Sequence, residues 1–392
     1  MRAPQRGAGP AEVGPTRAGT TLGARHLYVH LPFCVHRCGY CDFVTAVGKR
    51  GEHGSYVDAL LAELALERHL LADEVATIFV GGGTPTFTEP AALARLLAAL
   101  PAAAEVTVEA NPETVTPELA ALLREHGVNR VSLGAQSFQP HLLEVLERRA
   151  TPATVRAAVP ILRAAGFDNL SLDLIYGIPG QTASDLARDL DEALALEPEH
   201  LSCYELEAKP GTRFTHAYGD ELARQADAME GYFETVVETL TAAGYRWYET
   251  ASFCRPDSYR ELRAQHNLGY WLGRDYLGIG VGAVSTVSGL RWRNAPSVAR
   301  YTTALARGQR PPRELEPLDA DVQARERVLL GLRLDEPLPT AGLQGALDDE
   351  AVERLEGLGL ARTRDNGSLE LTTRGRFLGG GVTAELLADS PS

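Results

Sequence analysis

Three cysteines within eight residues are the first candidates for chemistry in this sequence. Cys34, Cys38 and Cys41 have the spacing C-x3-C-x2-C and follow LYVHLPF, a short apolar stretch typical of a strand. Cysteine thiolates bind zinc and the irons of iron–sulfur clusters. The other two cysteines, Cys203 and Cys254, lie far apart, and Cys203 sits in an apolar run typical of a buried side chain. The close group therefore predicts a metal centre.

Two kinds of metal centre fit this spacing. A structural zinc ion takes four nitrogen or sulfur ligands in a closed site, and His30 or His36 could supply the fourth. A 4Fe–4S cluster held by three thiolates has one iron without a protein ligand, and that iron is open to a small molecule. The spacing alone leaves both possibilities open.

Strand-like and helix-like segments alternate in the part of the chain that contains the cysteines. Amphipathic stretches of helical length, such as 55–71 and 182–195, separate the strand-like runs. Alternation of this kind predicts βαβ units and a parallel α/β sheet, either open or closed into a barrel. The predicted strands are 26–31, 76–80, 105–109, 129–134, 169–175 and 200–206.

Polar residues follow or end several of these predicted strands. GGGTPT (81–86) follows the second strand, Glu109 ends the third, Gln136 follows the fourth and Asp173 lies in the fifth. Ligands of parallel α/β folds bind at the carboxyl ends of the strands. We therefore expect these residues and the cysteine loop to share one site.

The composition excludes some classes of partner. The chain has 392 residues, of which 44% are hydrophobic, enough for two domains with buried cores. Its net charge of −14 argues against binding to nucleic acid or to an anionic membrane surface. No apolar run approaches the ~20 residues that a membrane span requires.

The first residues differ in composition from the rest. Residues 1–25 are rich in Ala, Gly, Pro, Thr and Arg and lack the apolar segment of a secretory signal, so we expect a disordered leader. Without export the protein is expected in the cytoplasm. Thiols are reduced there, and a tight group of cysteines binds metal rather than forming disulfides.

The alternation of strands and helices ends near residue 210. We therefore expect a core at 26–210 and an extension at 211–314. One long helix is expected over 220–243 in the extension. Residues 315–392 form a further predicted module.

The last module has a winged-helix-like pattern. Helices are expected over 319–332 and 349–358, followed by a hairpin with a type I′ turn at Asn366 and Gly367 and a final helix. Such modules often bind DNA, but 15 acidic and 8 basic side chains in 315–392 favour packing or protein contacts instead.

A C-x3-C-x2-C loop directly after a first strand resembles the radical S-adenosylmethionine (SAM) superfamily. In that superfamily the amino and carboxylate groups of SAM bind the open iron. GGGTPT, LGAQSF, LSLDLIYGIPGQT and HNLGYW occur in this order and narrow the resemblance to the HemN/HemW group. That group comprises oxygen-independent coproporphyrinogen III oxidase and related haem chaperones. The resemblance covers about residues 27–375 and implies a partial (β/α)6 barrel followed by a small C-terminal domain.

The resemblance also implies which residues hold the cofactors. Cys34, Cys38 and Cys41 would bind a 4Fe–4S cluster. Glycines at the second strand let a ligand approach the backbone closely, because no Cβ intrudes. Arg148 could pair with the SAM carboxylate. The positions that match SAM contacts of the family are Tyr28, Tyr40, Gly82, Gly83, Thr84, Glu109, Gln136, Arg148 and Asp173.

One position separates the two members of the group. The oxidase carries a further cysteine two residues after the third, and this chain has Phe43 there, the form that resembles the chaperones. HNLGYW resembles their HNxxYW motif and implies haem contacts by His266, Asn267, Tyr270 and Trp271. A neutral imidazole is a good ligand for haem iron, so His266 is the expected axial ligand. Alternatives for that ligand are His30, His36 and His53.

The resemblance implies a haem chaperone that passes haem to an acceptor haem protein of the respiratory membrane. It also suggests a homodimer formed near the cluster. The alternative within the group is the oxidase, which cleaves SAM reductively and takes hydrogen from a porphyrinogen propionate. A zinc-stapled interaction protein is the third possibility.

Elemental analysis separates an iron–sulfur centre from zinc. We expect protein purified and reconstituted without oxygen to contain iron and acid-labile sulfide and to absorb visible light, since thiolates bind the cluster irons. A colourless protein with stoichiometric zinc and no sulfide would contradict this prediction.

Overall fold

The computed structural model describes residues 23–207 and 213–388 of the chain. Most of the expected leader and the boundary expected at residue 210 lie outside the described residues. Ala24, near the end of that leader, is buried, and its amide donates to the carbonyl of Leu70 at 2.8 Å. Residues 23–25 therefore already belong to the folded part of the chain.

The first part of the chain alternates strands and helices as expected. Its strands are β1 His26–Leu31, β2 Phe33–Cys34, β3 Ala46–Val47, β4 Val75–Gly82, β5 Ala103–Ala110, β6 Arg130–Gln136, β7 Leu170–Tyr176 and β8 His200–Glu205. Its helices are α1 His53–Glu67, α2 Pro90–Ala99, α3 Pro117–Glu125, α4 Pro140–Val145, α5 Pro152–Ala164 and α6 Ala183–Ala195.

The second part is less regular. Its strands are β9 Arg246–Glu249, β10 Ser252–Cys254, β11 Tyr276–Ile279, β12 Val284–Val287, β13 Leu290–Asn294, β14 Arg313–Pro317, β15 Leu338–Pro339, β16 Ala361–Thr363 and β17 Ser368–Leu371. Its helices are α7 Arg213–Gln225, α8 Met229–Ala242, α9 Gln265–Trp271, α10 Val298–Ala306, α11 Ala320–Gly331, α12 Asp349–Gly357, α13 Thr373–Phe377 and α14 Gly379–Glu385.

One large sheet carries most of these strands, in the order β14-β13-β12-β11-β1-β4-β5-β6-β7-β8-β10-β9. Its centre, from β11 through β1 to β8, is parallel, and both ends are antiparallel. The order ends at β14 and β9, so the sheet is open. All the expected strands are present, and the expected α/β class with a partial (β/α)6 barrel is confirmed.

The long helix expected over 220–243 is interrupted. A short 3-10 helix, Ala226–Ala228, separates α7 from α8. The ring of Phe214 in α7 packs against Tyr40 of the cysteine loop, while the hydroxyl of Tyr232 in α8 donates to the carbonyl of Gln181 at 2.7 Å. The break lets the two helices pack on different parts of the barrel.

The C-terminal module has its own small sheet, in the order β15-β17-β16, and its own core of buried side chains. Its hairpin turn differs from the expected type I′ turn. Only Gly367 has a positive φ, 77°, and its amide donates to the carbonyl of Arg364 at 2.8 Å. Asn366 keeps a negative φ because its side chain accepts a hydrogen bond from the amide of Ser368. In the described part of the chain, no helix is long and apolar enough to cross a bilayer.

Glu63 of α1 is completely buried and joins the barrel to its extension. Its carboxylate accepts hydrogen bonds from the amide of Gly280 at 2.8 Å, the side-chain amide of Asn294 at 2.8 Å and the hydroxyl of Tyr301 at 2.7 Å. It also pairs with Arg313 at 3.2 Å. Buried charges of this kind are tolerated only when they are fully hydrogen-bonded.

Replacing Glu63 by alanine should lower the free energy of unfolding by about 3–5 kcal/mol, since it leaves buried donors without their acceptor. Urea denaturation measures the change. Glu52→Ala is the control, because Glu52 is exposed and its pair with Lys49 is worth at most about 1 kcal/mol. Equal costs for the two variants would contradict the prediction.

Candidate functional site

The cysteine loop follows β1 and turns back over the carboxyl edge of the sheet. Cys34 ends β2, which pairs with β3 at the far end of the loop. The amide of Cys41 donates to the carbonyl of Cys38 at 3.2 Å, and Arg37 donates to the carbonyl of Cys41 at 3.1 Å. These bonds place the three cysteines on the wall of one cavity of about 500 Å³.

The strand ends supply the rest of this cavity, which we call the cluster cavity. Gly82, Glu109, Gln136 and Asp173 come from four successive parallel strands and all line it. Tyr28 is the exception among the expected SAM contacts, since it lines a second cavity. The predicted residues that line the cluster cavity are Cys34, Cys38, Tyr40, Cys41, Gly82, Gly83, Thr84, Glu109, Gln136, Arg148, Asp173 and Asn267.

The thiols of Cys34 and Cys41 are poorly solvated. Burial raises the pKa of Cys34 to about 11 and also raises the pKa of Cys41. The Thr84 hydroxyl donates to the Cys34 sulfur at 3.6 Å, and Arg148 donates to the Cys38 sulfur at 3.8 Å. Such thiols ionise readily only beside added positive charge, which bound iron supplies. The donor set therefore fits a thiolate-bound metal cluster.

The positions of the possible zinc ligands test the zinc alternative. In the described ranges, no three His, Cys, Asp or Glu side chains converge on one ion position. His30 Nε2 lies 2.9 Å from the carbonyl oxygen of Val44, and His36 Nε2 lies 3.3 Å from a carboxylate oxygen of Glu147. Both histidines considered as a fourth zinc ligand thus have other partners. A cluster does not need convergence, because its thiolates bind different irons.

Two glycines at the end of β4 bring the backbone close to its neighbours. Gly82 has φ 115°, and a Cβ there would lie 2.6 Å from the ring of His30. A Cβ on Gly83 would lie 2.6 Å from the carbonyl oxygen of Pro32. The Gly82 amide donates to Glu109 at 3.0 Å, yet burial prevails and raises the pKa of Glu109 to about 7. At Gly82, which ends β4, and at Gly83, which follows it, a side chain would displace these neighbours.

Gln136 occupies a strained backbone position. Its φ is 64°, and the register of β6 with β7 shifts between Gly134 and Gln136. Bulges of this kind reorient a side chain at the end of a strand, and positive φ in a residue other than glycine is costly. The bulge places Gln136 at the cluster cavity.

Sequence reasoning missed several polar residues of the same cavity. Asn111 directly follows β5; its amide accepts from Arg148 at 2.9 Å and donates to Thr84 at 3.0 Å. The same rule about strand ends could have found it. Arg130 and Ser132, both in β6, also line the cavity, and Ser132 donates to Asp173 at 2.9 Å. Nothing in the local sequence marks Arg130, because its burial depends on the sheet.

Helix α9 carries the HNLGYW segment and separates two cavities. His266 is 1% exposed; its Nδ1 lies 2.8 Å from the Thr77 hydroxyl and its Nε2 lies 2.8 Å from the Tyr270 hydroxyl. Burial, with smaller contributions from His26 and Arg130, lowers the pKa of His266 to about 3. The imidazole is therefore neutral, as metal ligation requires, but both ring nitrogens are occupied in this conformation.

The second cavity has a volume of about 1050 Å³ and lies between the barrel extension and α11. Tyr270 and Trp271 border it, whereas Asn267, one turn earlier, borders the cluster cavity. Asp42 and Phe43 of the cysteine loop line both cavities. We call this second space the interdomain cavity.

Comparison with known families identifies the class of protein. The Radical SAM superfamily matches residues 28–193, and the HemN C-terminal domain matches residues 318–378. Most residues that line the cluster cavity lie within the first match; the others come from β8, the two residues after it and α9. The fold is that of a radical SAM protein.

Curated relatives narrow the class to a family. "Heme chaperone HemW" of Mycobacterium tuberculosis is 39% identical over 92% of this chain and 94% of its own length. The protein of the same name from Bacillus subtilis is 33% identical over 92% of this chain and 99% of its own. The chain belongs to the HemW family.

A solved structure supports the fold over nearly the whole chain. Coproporphyrinogen III oxidase (HemN) from Escherichia coli, described as a radical SAM enzyme, superposes with a TM-score of 0.78 at 25% identity. The match covers 93% of this chain and 90% of HemN. The two members of the HemN/HemW group thus share the barrel and the C-terminal domain.

Alanine at Gly82 should disrupt the cluster cavity. The added Cβ meets the His30 ring and the backbone φ disfavours a side chain, so we expect a lower melting temperature and a loss of SAM binding. Calorimetry and equilibrium dialysis measure these changes. Gly127→Ala is the control, because Gly127 also has a positive φ, 81°, but has open space around it. SAM affinity that is equal in the two variants would contradict the assignment.

Proposed function

We propose that this protein is a haem chaperone that carries a SAM-ligated 4Fe–4S cluster, binds haem and transfers it to an acceptor haem protein. Relatives named heme chaperones align with most of the chain at 33–40% identity. The observation that carries the proposal is the position of α9, whose aromatic end borders a large cavity beside the cluster cavity.

The cluster would be held by Cys34, Cys38 and Cys41, with SAM on its open iron. Arg148 and Asn111 would receive the SAM carboxylate, because the buried Nε of Arg148 has no partner among the described residues. The backbone at Gly82 and Gly83, which has no Cβ and lines the cluster cavity, would lie against the ammonium group and the methionine backbone. Glu109, Gln136 and Asp173 would bind the ribose hydroxyls.

When bound, the cluster and SAM supply one-electron chemistry. The chain's own residues position the ligand and exclude water. Tyr40 contributes to this exclusion, since its ring packs on Phe214 and the residue lines the cluster cavity next to Cys41. Thr84 and Arg148 donate to two of the sulfurs, and donors to cluster sulfur tune the reduction potential.

Haem would bind at the aromatic end of α9. Tyr270 and Trp271 offer flat apolar surface, and Asn267 connects the segment with the cluster cavity. For His266 to bind the iron, the Tyr270 hydroxyl must first leave Nε2, because that nitrogen is occupied. Haem binding through His266 would therefore be coupled to a movement of Tyr270.

The cluster loop offers a surface for a second copy of the chain. Phe43 is 55% exposed and Val47 is 48% exposed, and both lie on this loop. Exposed apolar side chains at a functional site favour a contact with another protein. A homodimer at this surface would cover the cluster. Size-exclusion chromatography with and without the cluster tests for the dimer.

The acceptor would be a haem protein of the respiratory membrane. The chaperone would reach it from the cytoplasm, where thiols stay reduced.

The second candidate is oxygen-independent coproporphyrinogen III oxidase, because HemN shares the whole fold. Phe43 weighs against it, since the family resemblance places an additional cysteine there in the oxidase. The two functions predict different products, which one experiment distinguishes.

Haem-loaded protein should restore the activity of a haem-depleted respiratory membrane faster than the same concentration of free haem, because the chaperone delivers its haem to the acceptor. The measurement is haem-dependent respiration over time. In parallel, the protein is incubated without oxygen with SAM, dithionite and coproporphyrinogen III. Vinyl-bearing product, together with no advantage over free haem, would show the oxidase instead.

A further inference from the structure

The residues that line the interdomain cavity carry more positive than negative charge. Arg274, Arg291, Arg293 and Arg327 line it, against the carboxylates of Asp42, Asp275 and Glu326. Glu326 is paired with Arg291 at 2.9 Å, and Asp275 accepts a hydrogen bond from the amide of Ser288 at 2.9 Å. The arginines other than Arg291 therefore give this lining its excess of positive charge.

Arg274 and Arg327 lack carboxylate partners. Within the described residues, the guanidinium of Arg274 has no ion pair, and that of Arg327 donates only to the carbonyl oxygen of Trp271, at 3.2 Å. Burial and the nearby charge of Arg274 lower the pKa of Arg327. Like charges close together and partly out of water favour the binding of an anion between them.

The two arginines come from different domains. Arg274 follows α9 of the barrel extension, and Arg327 lies in α11, which belongs to the C-terminal domain. A Cβ on Gly273 would lie 3.2 Å from the Cδ of Arg327, so the side chain of Arg327 lies against the turn that carries Arg274. An anion bound by both would join the two domains.

Apolar side chains form another part of the cavity lining. Leu318, Leu330 and Leu343 line it, with Leu329, which is 40% exposed, and Phe43, which is 55% exposed. The volume of about 1050 Å³ is at the upper end of the range of roughly 300–1,000 Å³ for cavities that hold organic ligands. The ligand that fits is large, flat, apolar over most of its surface and anionic at one edge.

We propose that the interdomain cavity is the haem site and that Arg274 and Arg327 bind the haem propionates. The macrocycle then lies on the leucines of α11 and the rings of Tyr270 and Trp271, with one edge facing Asp42 and Phe43. Haem bound in this way fastens the C-terminal domain to the barrel and contacts the loop that holds the cluster. This inference rests on the proposed function and adds to it the position and the orientation of haem.

Titration with ferric haem and with its dimethyl ester tests the orientation. Both are added to the full-length, cluster-loaded protein and followed by the Soret absorbance. We expect wild-type protein to bind haem at least about tenfold more tightly than the ester, because only haem has carboxylates for the arginines. Equal affinities for the two porphyrins would overturn the propionate assignment.

The double variant Arg274→Gln, Arg327→Gln provides the second test. It should lose at least about tenfold in affinity for haem and keep its affinity for the ester. Arg307→Gln is the matched control, because Arg307 is exposed, lies outside the cavity lining and should bind both porphyrins as wild type does. An unchanged haem affinity of the double variant would overturn the proposal. If the variant does not fold, the comparison of haem and ester on wild type decides.

The outcomes separate this inference from the proposed function. Wild-type protein that binds no haem contradicts both. Haem binding and transfer that do not depend on the arginines or the propionates contradict the site alone and leave the chaperone function standing.

Discussion

The hydrogen-bonded register of the parallel strands is the constraint on which the site depends. Because β4 to β7 run in the same direction, their carboxyl ends meet at one edge, and Gly82, Glu109, Gln136 and Asp173 reach the same cavity. The bulge at Gln136 and the positive φ of Gly82 are local departures from strand geometry at that edge. Both positions line the cavity, and backbone strain like that of Gln136 is common at functional sites.

His30 joins this edge to the loop between the two cavities. Its ring lies against Gly82, its Nδ1 lies 3.0 Å from the Tyr28 hydroxyl and its Nε2 lies 2.9 Å from the carbonyl oxygen of Val44. Asp42 and Phe43, which precede Val44, line both cavities. The cluster loop is therefore in direct contact with the interdomain cavity. Under the proposed function, this contact is a physical route by which a bound cluster and SAM would influence haem.

A second connection runs through α9. The Thr77 hydroxyl lies 2.8 Å from Nδ1 of both His26 and His266, and His266 continues to Tyr270 at the cavity. A hydroxyl with two such neighbours donates to one and accepts from the other, so the tautomers of these histidines depend on each other. The expectation that His266 binds iron remains a prediction, and the structure adds that Tyr270 must move first.

Sequence patterns predicted the parallel core well because each strand is a short buried run bounded by an amphipathic helix. They were wrong about the long helix over 220–243 and about the type I′ turn. A 3-10 helix at Ala226–Ala228 interrupts the expected helix, and α7 and α8 pack on different partners through Phe214 and Tyr232. In the hairpin, the side chain of Asn366 accepts a hydrogen bond from the amide of Ser368, and the turn is not of type I′. Contacts of this kind are not visible in local composition.

The sequence by itself determined the cysteine loop, the glycines of β4 and the order of polar residues at the strand ends, because spacing and backbone freedom are local properties. Only the tertiary structure decided that Arg130 is buried in the cluster cavity and that His266 has both nitrogens occupied. It also decided that Arg274 and Arg327, from two domains, border one space. Charges far apart in the chain acquire a common environment only when the domains pack, since their proximity depends on long-range contacts rather than on neighbouring residues.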